Sequence, residues 1–224
     1  MGKNLKYIEK IDTFENESEY VKKCFSAMRI LAANSQIVRN IEDDNSPTLE
    51  RNYILSMVYH LGKSDYLKEN TDIVFGSGPY FVGGEANKLI PVLDELAKKT
   101  SKNLHFADRG GKIEVIPDLV IHNSHCPKAG DTEDGQYLAL EAKTTRILGQ
   151  YYFNRDFFKL NLYLADLHFQ NAVYLVINKS VSVIDDYIGK YLTNTNTNYQ
   201  YFDVKSKLRL FIQENDVPEM YKLK

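Results

Sequence analysis

Two short stretches carry the residue types of phosphodiester chemistry. Val115-Ile116-Pro117-Asp118-Leu119-Val120-Ile121 holds one carboxylate among apolar neighbours, and Leu138-Ala139-Leu140-Glu141-Ala142-Lys143 holds a carboxylate and an ammonium two positions apart. Alternation along a strand sends Glu141 and Lys143 to one face and Leu140 and Ala142 to the other, so opposite charges project side by side from an apolar segment. If the strand expected from Lys112 to His122 pairs with the second stretch, Asp118 lies opposite Glu141. Two carboxylates at one spot repel unless they share a cation. Hard oxygen donors suit Mg²⁺ or Mn²⁺, which keep water or substrate phosphate oxygens as their remaining ligands. A metal held there polarises a phosphoryl oxygen and lowers the pKa of bound water, while Lys143 stabilises the attacking hydroxide or the charge that gathers in the transition state.

Pro117-Asp118 together with Glu141-Ala142-Lys143 resembles the motif of the PD-(D/E)xK nuclease superfamily. The resemblance implies an α/β fold, a restriction-endonuclease-like mixed central β-sheet flanked by helices, here with an N-terminal helical segment. It also implies a metal-dependent nuclease, expected to be an endonuclease that hydrolyses DNA phosphodiester bonds with Mg²⁺, for which Mn²⁺ substitutes. Asp118 and Glu141 would hold the metal and Lys143 would assist the attack. Many members carry a further acidic residue on a helix upstream, and Glu50 fits as auxiliary acid and third ligand, because it shares a helical stripe with Tyr53, Ile54 and Met57. As an order of elements the match runs roughly from Pro47 to Ile177, although the specific motif is five residues. Because many relatives act as dimers, the resemblance leaves a homodimer open. Other readings of the same residues remain: a non-catalytic nucleic-acid- or protein-binding subunit with this fold, or a nuclease acting on RNA or structured junctions. More blandly, Glu141 and Lys143 could pair on an exposed strand face, with Glu50 favoured by the dipole of its first helical turn.

Phosphate contacts are expected from Arg146 after the Glu-x-Lys strand and from Arg155 and Lys159 on the next helix. Lys205, Lys207 and Arg209 would form a basic row if they alternate along a strand, as phosphate partners or as guards on a sheet edge. Glu114, four residues before Asp118, would either extend the acidic site from the same strand face or be a solvated strand residue. His122, His125 and Cys126 lack a second half with zinc-like spacing. The glycines around Gly76-Ser77-Gly78 are not followed by Gly-Lys-Ser/Thr, which argues against a phosphate-cradling loop.

These side chains must be positioned by elements legible from periodicity. Apolar residues at three- and four-residue spacing predict a helix from Glu17 to about Asn40 and another from Pro47 to Gly62, with Asn45-Ser46 as its cap. A short strand within Ile73 to Val82 and a helix from Glu85 to Thr100 follow. Period-two segments then predict a hairpin of Leu104–Ala107 with Lys112–His122, and a strand from Tyr137 to Lys143. Beyond them lie a helix from Gln150 to Phe169, a buried strand from Ala172 to Ile177, a helix from Val181 to Leu192 and a last strand from Tyr201 to Ile212. We expect residues 1–45 to be a helical segment packed on a single core of residues 46–224.

Composition bounds the function classes. The chain has 224 residues, 43% hydrophobic and 26% charged, and a domain of this size buries about 70% of its unfolded surface. The net charge is only -2, so no whole-molecule field draws it to DNA; but residues after Glu141 hold 11 basic and 8 acidic side chains, which tilts the basic surface toward the C-terminal part. Two cysteines, Cys24 and Cys126, are too few for a disulfide framework and fit a reducing compartment. With neither an N-terminal apolar core nor a run of about 18 apolar residues, the expected location is cytoplasmic, away from membranes.

Overall fold

The computed structural model describes residues 5–33, 47–62, 80–83, 88–123, 135–144 and 148–224. The elements run β1 (Ile8–Lys10), α1 (Glu19–Ala33), α2 (Pro47–Gly62), β2 (Tyr80–Gly83), β3 (Lys88–Pro91), α3 (Glu95–Asn103), β4 (Lys112–Val115), β5 (Leu119–Asn123), β6 (Gln136–Lys143), α4 (Gln150–Ala165), β7 (Asn171–Ile177), α5 (Val181–Leu192), α6 (Val204–Lys207), β8 (Leu208–Gln213) and β9 (Glu219–Leu223). Seven strands form a mixed sheet in the order β1-β9-β8-β7-β6-β5-β2, and β3 and β4 form a separate pair. β6, β7 and β8 are mutually parallel, while β5, β2, β9 and β1 add antiparallel pairs on either side.

The sheet is mixed because its connections differ in length. α4 returns the chain from β6 to β7, and α5 with α6 returns it from β7 to β8, crossovers long enough for parallel pairing. β8 reaches β9 through a short turn and so pairs antiparallel. Both faces are covered. Leu119, Ile121, Leu138, Leu140, Ala142, Val173, Leu175 and Phe211 meet α1 and α2 on one side. Val120, Ala139, Tyr174, Val176 and Leu210 meet α4, α5, α3 and the small sheet on the other. Central β6 and β7 therefore read as nearly continuous apolar runs, which makes the charges at Glu141 and Lys143 conspicuous.

Several boundaries differ from the sequence expectation. The helix expected at Glu85–Thr100 is a strand, β3, followed by α3 starting only at Glu95. Pro91 ends the strand, and the Asp94 side chain accepts from the Ala97 N–H at 2.8 Å as the cap. The expected strand Lys112–His122 is broken at Ile116-Pro117-Asp118 into β4, which pairs with β3, and β5, which pairs with β6. Gly110 and Gly111, both at positive φ, make the turn into β4, but only the single bridge Asp108–Ile113 forms across it. The last strand expected at Tyr201–Ile212 begins at Leu208, because residues 204–207 wind into α6. Helix α1 is described to Ala33, and the rest of its expected span lies outside the described residues.

β1 and β9 had no sequence expectation. β1 is held by β9 and by Asp185 of α5, whose carboxylate accepts from the backbone N–H groups of Lys6 (2.9 Å), Tyr7 (2.7 Å) and Ile8 (3.0 Å). Gly189, one turn on, leaves room for the Tyr7 ring, whose Cε2 would lie 2.1 Å from an added Cβ. Among the described residues no helix is long and apolar enough to cross a membrane.

Candidate functional site

Breaking the strand before β5 fixes Asp118. Its N–H donates to Leu140 O (3.1 Å), and its Oδ2 accepts from the Ala142 N–H (2.8 Å), so the side chain itself continues the ladder between β5 and β6. That bond sets Asp118 beside the C-terminal end of β6, at the same edge where the parallel strands β7 and β8 also end. In open α/β sheets this edge is where ligands bind.

From this edge the side chains of β6 that face α4 meet two further elements. Lys143 Nζ donates to Glu50 Oε1 of α2 at 3.1 Å and lies 3.5 Å from Asp156 Oδ2 of α4, so it joins the helical layers from the two sides of the sheet. Glu50 is held by a second donor, the Thr144 N–H, at 3.3 Å to Oε2. Deeper in, Glu141 is fully buried. Tyr163 of α4 donates its hydroxyl to Glu141 Oε1 at 2.6 Å, and Lys159 donates to Oε2. Lys159 also lies 3.2 Å from Asp156 Oδ1, and Tyr174 of β7 donates to Asp156 Oδ2 at 3.4 Å. Charges therefore alternate along one continuous path, Glu50, Lys143, Asp156, Lys159, Glu141, with Asp118 alongside.

Burial governs the protonation of this path. It pushes the Glu141 carboxyl above the ordinary carboxylate range, opposed by the Lys159 ammonium and reinforced by Asp118 and Asp156. Glu50 is raised by the same desolvation, against the pull of Lys143. For Lys143 burial acts to lower the pKa, but Asp156, Glu50, Asp118 and Glu141 outweigh it and hold the side chain firmly as an ammonium. Lys159 is raised likewise, by Glu141 and Asp156 against its own burial.

The structure thus brings together Glu50, Asp118, Glu141 and Lys143, which come from α2, from the break before β5, and from β6, and span 94 residues of sequence. It sets Lys159 inside the carboxylate cluster, engaged with Glu141, where the sequence suggested a phosphate contact. Arg155 lies over the Phe106 ring at 4.6 Å, and Arg146 falls outside the described residues, as do His125, Cys126 and Gly76 to Gly78. Glu114 does not extend the site. It sits in β4, beyond the strand break, and pairs with Arg109 at 2.8 Å. Nor is there a basic row at the C-terminal strand: Lys205 and Lys207 are in α6, and Arg209 of β8 donates to Glu17 at 2.7 Å.

Tyr163 and Tyr174 are the members that motif reading missed; Asp156 was expected only as a residue of the helix that packs behind the Glu-x-Lys strand, without a role of its own. Asp156, Lys159 and Tyr163 recur at helical spacing on α4, and this polar stripe on a helix due to pack on the Glu-x-Lys strand was the available signal. Tyr174 is the register partner of Glu141.

A metal can be tested against the donor chemistry. If Glu50, Asp118, Glu141 and Asp156 were all ionised, as metal ligation requires, they would exceed the two lysines by two negative charges, and all the ligating atoms are carboxylate oxygens. One hard divalent cation balances that set. Asp118 Oδ1 has no protein donor among these contacts and the residue is only partly buried, whereas the oxygens of Glu141, Asp156 and Glu50 are occupied. Among the described residues, no group of three or more His, Cys, Asp or Glu side chains is already placed to hold a metal ion. Comparison with known proteins finds no matching family model, no matching curated protein and no matching solved structure.

Proposed function

We propose that this chain is a metal-dependent nuclease of the PD-(D/E)xK type that hydrolyses DNA phosphodiester bonds, with a restriction-endonuclease-like core. The observation that carries the reading is the junction at the end of β6, where Asp118 caps the Ala142 N–H while Lys143 meets Glu50 and Asp156. Two acids from different helices converge on one lysine, with a third beside it, at the carboxyl edge of the parallel strands of a mixed sheet, the kind of charged, perturbed cluster that marks a functional-site candidate.

Asp118 and Glu141 would hold the metal, with Glu50 as the auxiliary acid. A bound Mg²⁺ or Mn²⁺ supplies Lewis-acid polarisation of the phosphoryl oxygen and a more acidic bound water. Lys143 is too strongly held as an ammonium to take a proton from water. Its role is therefore to orient the attacking hydroxide and to stabilise charge on the phosphorane-like transition state. Asp156 keeps that ammonium aimed at the edge, and its own second oxygen is held by Lys159. Arg155 and Arg146 remain the proposed phosphate contacts.

One observation favours the non-catalytic alternative, a nucleic-acid- or protein-binding subunit: Glu141 is closed off by Lys159 and Tyr163. The deciding experiment incubates the purified protein with supercoiled plasmid, linear duplex, single-stranded DNA and RNA, in Mg²⁺, Mn²⁺ or EDTA, beside Lys143→Ala. Cleavage that needs metal and disappears in the folded variant supports the nuclease, and the substrate cut separates DNA from RNA. Absence of both cleavage and metal binding in well-folded protein supports the binding subunit.

A further inference from the structure

Lys159 is the least expected member of the cluster. Its ammonium sits against Glu141 Oε2 and 3.2 Å from Asp156 Oδ1, with its side chain only 16% exposed. Glu141 is wholly buried, so without a cation its charge would face apolar surroundings with the Tyr163 hydroxyl as its remaining donor. An ammonium on a flexible stem is a compact, mobile point charge, suited to filling such a position and to leaving it. Lys143 does not play this part, because it is held to Glu50 and to the Ala142 carbonyl (2.9 Å) at the rim.

We propose that Lys159 is a built-in counter-cation that holds Glu141 and Asp156 in the metal-free protein and is displaced from Glu141 when a divalent cation enters. This inference rests on the nuclease reading of the site and deepens it. Lys159 is a positioning residue: it keeps the buried carboxylate oriented toward the edge before loading, and it sets the metal affinity by competition.

The test is Mn²⁺ binding without DNA, by calorimetry, on the full chain as wild type, Lys159→Met, Lys159→Gln and Lys159→Arg. Removal of the competing charge is expected to tighten Mn²⁺ binding by about tenfold or more in Lys159→Met and Lys159→Gln, while Lys159→Arg stays at or below wild-type affinity. In thermal melts, Lys159→Met should lose stability in EDTA and regain it with Mn²⁺ by a larger increment than wild type. If Lys159→Met folds only with Mn²⁺, that dependence itself supports displacement; if it folds under neither condition, Lys159→Gln, which keeps a donor toward Glu141, decides by its affinity. Equal or weaker Mn²⁺ binding by folded Lys159→Met or Lys159→Gln overturns the counter-cation role and leaves the metal site standing. No Mn²⁺ binding by any variant overturns the nuclease reading as well.

Discussion

At the scale of single residues, the ion pairs divide the work between two lysines that look alike in sequence. Lys143 is held at the rim by Glu50 and Asp156, whereas Lys159 is held inside by Glu141. Lys143→Ala should therefore leave thermal stability near wild type, because Glu50 keeps the Thr144 N–H and partial access to water, yet lower the cleavage rate by roughly 10²-fold or more. Near-normal turnover by the folded variant would remove Lys143 from the mechanism. Asp118→Asn should raise the Mg²⁺ concentration needed for half-maximal cleavage, and an unchanged titration would count against Asp118 as a ligand. The acids also dictate a pH profile. Because burial raises Glu141 and Glu50, their ionised, metal-binding forms are lost at a higher pH than for ordinary carboxylates. Cleavage and Mg²⁺ affinity should fall together on acidification, with a midpoint above the usual carboxylate range. A profile flat down to about pH 4.5 would sink this assignment.

At the scale of elements, what was legible in the sequence is what local pattern alone decides. Helix α5 and strand β7 lie within a residue of their expected bounds, since Val181 to Leu192 keeps the helical period and Ala172 to Ile177 is uniformly apolar. Lys88 to Asp94 was misread because its apolar spacing also fits a helix, and the deciding facts, Pro91 and the Asp94 cap, are single residues. β1 was not legible at all: its three residues are ordered by an acceptor 177 positions away, and Tyr7 nests on Gly189. Of the site, Asp118, Glu141 and Lys143 were visible because a motif sits on strands, while Asp156, Tyr163 and Tyr174 depend on how α4 and β7 dock. Asp185→Ala tests the docking of β1. It leaves three N–H groups without their carboxylate and should destabilise the protein by about 2 kcal/mol or more, read as a lower urea midpoint. At the far end of α4, burial raises the Asp166 carboxyl to about 6. A raised carboxyl stabilises the fold fully below its unfolded pKa and loses that contribution as pH climbs through the folded value. Asp166→Asn should thus match wild type near pH 4 and melt at a higher temperature above pH 7; a gap independent of pH would argue against the shift.

At the scale of the whole molecule, the charge distribution predicts how nucleic acid would be held. A net charge of -2 gives no general attraction to a polyanion, and the candidate site adds local repulsion whenever its four carboxyls are ionised, because they then outnumber its two ammoniums. A phosphate can approach that edge favourably only once a divalent cation has balanced the excess, whereas contacts made by the more basic C-terminal part would not depend on metal. Binding of a labelled duplex to the Lys143→Ala protein, followed by fluorescence anisotropy, separates the two contributions. Removing Lys143 deepens the negative charge of the site, so affinity should be about tenfold or more tighter in Mg²⁺ than in EDTA at equal ionic strength. Equal affinity in the two conditions would mean that the duplex is held away from the carboxylates, by side chains such as Arg155, and the cluster would then have to be explained without a phosphate in contact with it.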